Sequence, residues 1–191
     1  LSHLTDAPLP ERVAGSDLIW KIAKISSESN ASVFLLGGNV GSAEGAIAKM
    51  KARFPHANFV GSYCPPHGTL GSQEEQQRIK AVVRSARPDI LLVAFGAPTQ
   101  EKWIAANLEE LSVPLTIGLG GSFEMVAGSV RRAPKLLQKV GLEWFWRFCQ
   151  EPGRLFERYF VKGIPFMVKL SASMLGLKII SIFGSQKPYR D

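Results

Sequence analysis

From Ser16 to Val126 the chain alternates between two hydrophobic patterns. Short, mostly apolar runs predict strands over 32–36, 57–61, 89–95 and 114–118, with 32–36 buried and 89–95 buried on both faces. Between them, apolar residues recur at helical spacing. Leu18, Ile22 and Ile25 form the stripe of a first helix that Ser16 or Asp17 can cap. A second helix opens at Ser42 and runs to about Phe54, with Ala43, Ile47, Met50 and Phe54 inward. A third begins at Ser72, where Ser72 and Glu75 have capping-box spacing; it buries Ile79, Val82, Val83 and Ala86 and stops at Pro88. Thr99 caps a fourth over about 100–111, with Ile104, Leu108 and Leu111 on one face, and Ser122 caps a short helix through Val126. Strand and helix alternate four times. That order predicts an α/β fold with a Rossmann-like, doubly wound, mainly parallel sheet over residues 1–130.

After Val130 the pattern changes. A helix is predicted from Pro134, with Leu136, Leu137 and Val140 inward. Leu142, Phe145, Trp146 and Cys149 then follow at helical spacing, with Trp144 and Phe148 on another face, so the segment is apolar nearly all round. Arg147, Arg154 and Arg158 run beside these aromatics, and Arg131 and Arg132 precede them. The tail over 160–183 is apolar, interleaved with Lys162, Lys169 and Lys178 and interrupted by Gly163 and Pro165. Its longest uncharged run falls short of the ~20 apolar residues that a spanning helix needs. An interfacial amphipathic helix fits it better. Residues 131–191 are therefore read as a helical, membrane-associating C-terminal appendage.

Charge narrows the partners. The chain of 191 residues carries 23 Lys and Arg against 16 Asp and Glu, a net charge of +7. Such a balance suits phosphorylated ligands, an anionic membrane surface or nucleic acid. No RRM-type or helix-turn-helix signature is present, so nucleic-acid binding is not expected. The basic, aromatic clustering after Val130 favours an anionic membrane surface. Two cysteines, Cys64 and Cys149, form neither a disulfide framework nor a metal-ligand cluster.

Candidate chemistry gathers where predicted strands end. In a parallel sheet, ligands lie beyond the carboxyl ends of the strands, where glycine turns and helix N-termini offer N–H groups to anions. Gly37, Gly38 and Asn39 end the first strand, Gly96 the third, and Gly120 and Gly121 follow the fourth. Gln100 and Glu124 fall at the same edge. The lone Gly-Gly pair is weak support, since it serves a tight βα turn equally well. The Pro- and Gly-rich segment 62–71, with Cys64, His67 and Thr69, reads as a loop over the site. Arg12 offers a cationic fork suited to a diphosphate.

The ordered motifs GAPTQEKW, GLGGSFEMVAG, RRAP, GLEWFWR and EPGR, with PLPERVAGSDL ahead of them, resemble the WecG/TagA/CpsF glycosyltransferase family from Pro8 to about Tyr159. The resemblance implies transfer of a hexose or N-acetylhexosamine, such as N-acetylmannosamine, from a UDP-sugar to an undecaprenyl-diphosphate-linked sugar, with inversion, in bacterial surface polysaccharide or teichoic acid synthesis. It implies a peripheral place on the inner face of the plasma membrane and a C-terminal appendage contributing arginines. Arg12 and Gln100 then take catalytic, diphosphate-handling roles. Gly37, Gly38, Asn39, Gly96, Gly120, Gly121 and Glu124 join Gln100 in holding the donor, Glu124 at a ribose or uracil contact. Arg131, Arg132, Arg147, Arg154 and Arg158 face the lipid acceptor or the membrane; Glu157 stands where many relatives are basic. No DxD-type pair is present, and no metal or cofactor is expected. The family's Asp-Gly motif, whose Asp is the proposed base, belongs to a segment ahead of PLPERVAGSDL that the chain lacks, so a fragment or truncated relative is expected. The competing reading is a catalytically incomplete nucleotide-binding or membrane-associated remnant. Self-association into a homo-oligomer through a sheet edge or the tail is left open.

Overall fold

A computed structural model describes residues 13–134, 136–137, 141–150, 152–156, 160–161, 163–165, 168 and 171. The chain divides into two compact units, Leu1–Arg131 and Arg132–Asp191.

In the first unit the elements run α1 (Gly15–Ser29), β1 (Val33–Gly37), α2 (Ser42–Arg53), β2 (Phe59–Tyr63), α3 (Gln73–Ala86), β3 (Ile90–Ala94), α4 (Thr99–Leu111), β4 (Leu115–Gly118) and α5 (Ser122–Ala127). The four strands form one parallel sheet in the order β2-β1-β3-β4. The two central strands, β1 and β3, are buried along their whole length, as their unbroken apolar runs require. One face packs Leu35, Leu92 and Ile90 against Ile19, Met50 and Phe123 of α1, α2 and α5. The other packs Phe34, Leu36, Leu91 and Val93 against Ile79, Val83 and Trp103 of α3 and α4. This is the doubly wound α/β arrangement that the alternation predicts. Because the chain leaves β1 for β2 on one side and enters β3 on the other, the carboxyl ends of β1 and β3 flank the topological switch point.

Several local expectations are corrected. Ile25 is 51% exposed, because the buried face of α1 runs through Ser16, Ile19, Ile22, Ala23 and Ser26. Leu108 is also 51% exposed, and α4 buries Gln100, Trp103 and Asn107 instead. The second strand lies at 59–63 rather than 57–61; Ala57 is buried ahead of it in a turn closed by its N–H on Phe54. Ser16 and Asp17, Thr99 and Ser122 are not N-caps, since Ala14, Pro98 and Gly121 hold those positions without side-chain hydrogen bonds. Ser122 Oγ donates back to the Leu119 carbonyl. Ser72 does cap α3, accepting from the Glu75 N–H. The reciprocal half of the capping box is missing: the Ser72 N–H bonds Thr69, and the Glu75 carboxylate accepts the Tyr63 hydroxyl at 2.7 Å.

In the second unit, α6 (Glu143–Gln150) and α7 (Pro152–Phe156) are defined. Leu136, expected to face inward, is 71% exposed, while Val140 lies outside the described residues. Among the described residues, no helix is long and apolar enough to cross a membrane.

Candidate active site

The carboxyl edge of the sheet is built from three βα turns. After β1, Gly37, Gly38 and Gly41 adopt φ of +93°, +82° and +77°, a left-handed run that side chains resist. After β3, Gly96 at φ +78° opens the turn into α4, and after β4, Gly120 at φ +54° leads into α5. The Gly38 N–H donates to the Ala94 carbonyl and the Leu119 N–H to the Val93 carbonyl, so the three turns are extensions of neighbouring ladders.

Two buried side chains brace these turns against one another. Gln100, in the first turn of α4, is 5% exposed. Its Oε1 accepts the Gly120 N–H at 3.0 Å and its Nε2 donates to Glu101 Oε1 at 2.9 Å. It lies flat on Gly118, where an added Cβ would stand 2.6 Å from Nε2. Glu124, on α5, is also 5% exposed. Helix α5 packs closely on α2, where a Cβ added at Gly45 would meet Ala127 Cβ at 3.1 Å, and this contact sets Glu124 beside the β1 turn. There Glu124 Oε1 accepts the Asn39 N–H at 2.8 Å, while Oε2 makes no hydrogen bond.

The rim carries further polar groups. The Cys64 thiol donates to the Gly38 carbonyl at 3.2 Å. Burial pushes its pKa up, and the negative charges of Glu44 and Glu124 push it further. Glu44 accepts the Ser62 hydroxyl at 2.9 Å. Gln76 ties the loop after β2 to α4: its Nε2 donates to the Leu70 carbonyl and its Oε1 accepts Trp103 Nε1–H at 2.8 Å. Trp103 meets Phe95 edge-on at 5.4 Å, and Phe95 lies on Gly37.

The structure thus gathers Gly37, Gly38, Asn39, Gly96, Gln100, Gly120, Gly121 and Glu124 at one sheet edge. Arg131 is exposed and Arg132 half-buried. Arg12, Arg158 and the side chains of Arg147 and Arg154 lie outside the described residues. Sequence reasoning missed Gln76, which looks like any polar helix residue.

Comparison with known proteins gives a consistent result. The model of the glycosyl transferase WecG/TagA/CpsF family matches residues 1–179. Over 154 residues the chain is 30% identical to the N-acetylglucosaminyldiphosphoundecaprenol N-acetyl-beta-D-mannosaminyltransferase of Bacillus subtilis (strain 168), covering 81% of this chain and 58% of that relative. The protein of the same name from Staphylococcus aureus (strain MW2) is 31% identical over 180 residues, covering 93% of this chain and 66% of the relative. The chain therefore spans 58–66% of the length of these relatives.

Proposed function

The chain belongs to the glycosyl transferase WecG/TagA/CpsF family, and from that premise we propose that it moves a hexose or N-acetylhexosamine, such as N-acetylmannosamine, from a UDP-sugar to an undecaprenyl-diphosphate-linked sugar. The observation that carries this reading is the cross-braced set of glycine turns at the switch point, with Gln100 holding Gly120 and Glu124 holding Asn39. Ligands of parallel sheets bind at such an edge.

In the proposed reaction the acceptor hydroxyl oxygen attacks the anomeric carbon, the bond from that carbon to the UDP oxygen breaks, and configuration inverts. The hydroxyl proton goes to a base, a role we assign to no described residue of this chain. The leaving diphosphate gains charge, which backbone N–H groups of the glycine turns and the Arg12 guanidinium suit. Gln100 acts one step back: it fixes the Gly120 peptide and so the direction of neighbouring N–H groups. Glu124 takes the nucleoside. The acceptor would be a glycosyl-diphosphoundecaprenol of the kind named for the relatives, and Arg131, Arg132, Arg147, Arg154 and Arg158 are proposed to face its diphosphate or the anionic membrane surface.

Calorimetric titration of the chain with UDP, with NAD as control, tests the reading. UDP is expected to bind and NAD not, and Gln100→Ala is expected to weaken UDP by roughly tenfold, the scale of one lost positioning bond. A folded chain that ignores UDP defeats the proposal.

A further inference from the structure

The loop after β2 and the turn after β1 are both reached from one side chain. Trp103 is 6% exposed and follows Gln100 by one turn on the buried face of α4. Its Nε1–H donates to Gln76 Oε1 at 2.8 Å, and Gln76 Nε2 donates to the Leu70 carbonyl. Its ring meets Phe95 edge-on at 5.4 Å. Phe95 in turn covers Gly37, where an added Cβ would stand 2.8 Å from Cδ1 and 2.9 Å from Cε1.

The loop needs such an anchor. Its middle is closed on itself: the Pro66 carbonyl accepts both the N–H and the hydroxyl of Thr69, and the Thr69 carbonyl accepts the Ser72 N–H. Bonds of this local kind shape a loop without fixing where it stands. At the start, the Cys64 thiol donates to the Gly38 carbonyl at 3.2 Å, and a thiol is a weak donor. At the end, Gln76 holds Leu70, and the indole fixes Gln76 to α4. Leu70 and Phe95 also pack on the apolar cluster that contains Trp103. Packing alone would be served by any large apolar ring. The N–H is what carries the tie from α4 to the loop.

We propose that Trp103 is a positioning residue of the donor site, setting the β1 turn through Phe95 and the loop after β2 through Gln76. This inference rests on the sugar-nucleotide reading above and adds the loop to that site as a wall already in place before the donor arrives. Helix α4 then braces the site on both sides of the switch point. Gln100 holds the turn after β4, and Trp103 holds the turn after β1 and the loop after β2.

The test pairs UDP titration with hydrogen exchange of residues 62–72 in the wild-type chain, Trp103→Phe, Gln76→Glu and the double variant. Trp103→Phe keeps an aromatic ring against Phe95 and removes the N–H. Gln76→Glu keeps an acceptor for the indole and removes the donor to Leu70. Each single change is expected to speed exchange over 62–72 several-fold and to leave β1 and β3 as protected as before. Each should weaken UDP by about three- to tenfold, the scale of one hydrogen bond. The double variant should be no worse than the worse single one, because both act on one chain of contacts. A merely structural tryptophan would instead lower the melting temperature and speed exchange throughout the sheet, with the loop affected no more than the rest. Folded variants that keep wild-type loop exchange or wild-type UDP affinity, or losses that add, overturn the role of Trp103 and leave the sugar-nucleotide reading standing. A wild-type chain that binds no UDP overturns both.

Discussion

Two single residues carry predictions that follow from atoms in contact. Gly118 is glycine because Gln100 lies on it, with Nε2 at 2.6 Å and Cδ at 3.0 Å from where a Cβ would stand. Gly118→Ala must push the Gln100 side chain off its seat and break its bond to Gly120. Its effect on UDP affinity should match that of Gln100→Ala, and the double variant should be no worse than either alone. Titrations in which the two losses add would show that Gly118 acts by another route. Asp89 makes a different argument. Its carboxylate accepts both the backbone N–H and the hydroxyl of Ser32 at 2.7 Å, and these bonds, the backbone one first, hold its pKa below the ordinary 3.8. A depressed carboxylate contributes stability that is present above its unfolded pKa and disappears as pH falls through its folded pKa. Asp89→Asn should therefore melt below the wild-type chain at neutral pH, and the gap should narrow as the pH falls past the ordinary 3.8 and close once the folded carboxylate is protonated. A gap independent of pH would assign the effect to packing.

At the scale of elements, the sequence was legible where burial alone decides. The runs at β1 and β3 are buried on both faces and were read to within a residue or two. Strand β2 was misplaced because it is an edge strand with Val60 38% exposed, so its apolar residues do not mark its limits. The buried faces of α1 and α4 were misjudged for a related reason. They bury Ser16 together with Ser26, Gln100 and Asn107, the last three each hydrogen-bonded to backbone, and a hydrophobicity pattern cannot see a satisfied polar residue. The site shows the same division. Its glycines and Gln100 stand out as turn chemistry, whereas the hydrogen bond from the Asn39 N–H to Glu124 exists only once α5 is folded against the β1 turn. Capping was the other weak point. Of the helix starts in the first unit, among the described residues, Ser72 alone makes the expected side-chain bond to the backbone, which Ser72→Ala removes. Its loss should cost about 1 kcal/mol in denaturant unfolding, the usual value of an N-cap, and should leave UDP binding intact. A loss near zero would mean that the bond from Tyr63 to Glu75 anchors the start of α3 by itself.

Over the whole molecule, net positive charge lies in the C-terminal part of the chain, and so do the exposed Phe and Trp side chains among the described residues. Residues 131–191 hold 12 of the 23 Lys and Arg and 4 of the 16 Asp and Glu, a net +8, which leaves −1 for residues 1–130. The same C-terminal unit exposes large apolar side chains: Trp144 is 46%, Phe145 49% and Phe156 55% exposed. Positive charge beside exposed aromatics suits an anionic lipid surface, and the two contributions respond differently to salt. Attraction between charges at a surface falls off within ~8 Å at physiological ionic strength and weakens further as salt is added. Burial of an aromatic side chain at the interface does not depend on screening. We therefore expect the chain to co-sediment with phosphatidylglycerol-rich vesicles more strongly than with neutral ones, and to lose part, not all, of that binding as salt rises. The double change Trp144→Ser with Phe145→Ser should remove the salt-resistant part and leave the salt-sensitive part. UDP titration of the same variant serves as the control, because Trp144 and Phe145 belong to the second unit and the proposed donor site to the first. Salt-resistant binding that survives the double change would take α6 out of the membrane contact. A wild-type chain that ignores anionic vesicles would mean that the basic unit serves the lipid diphosphate alone.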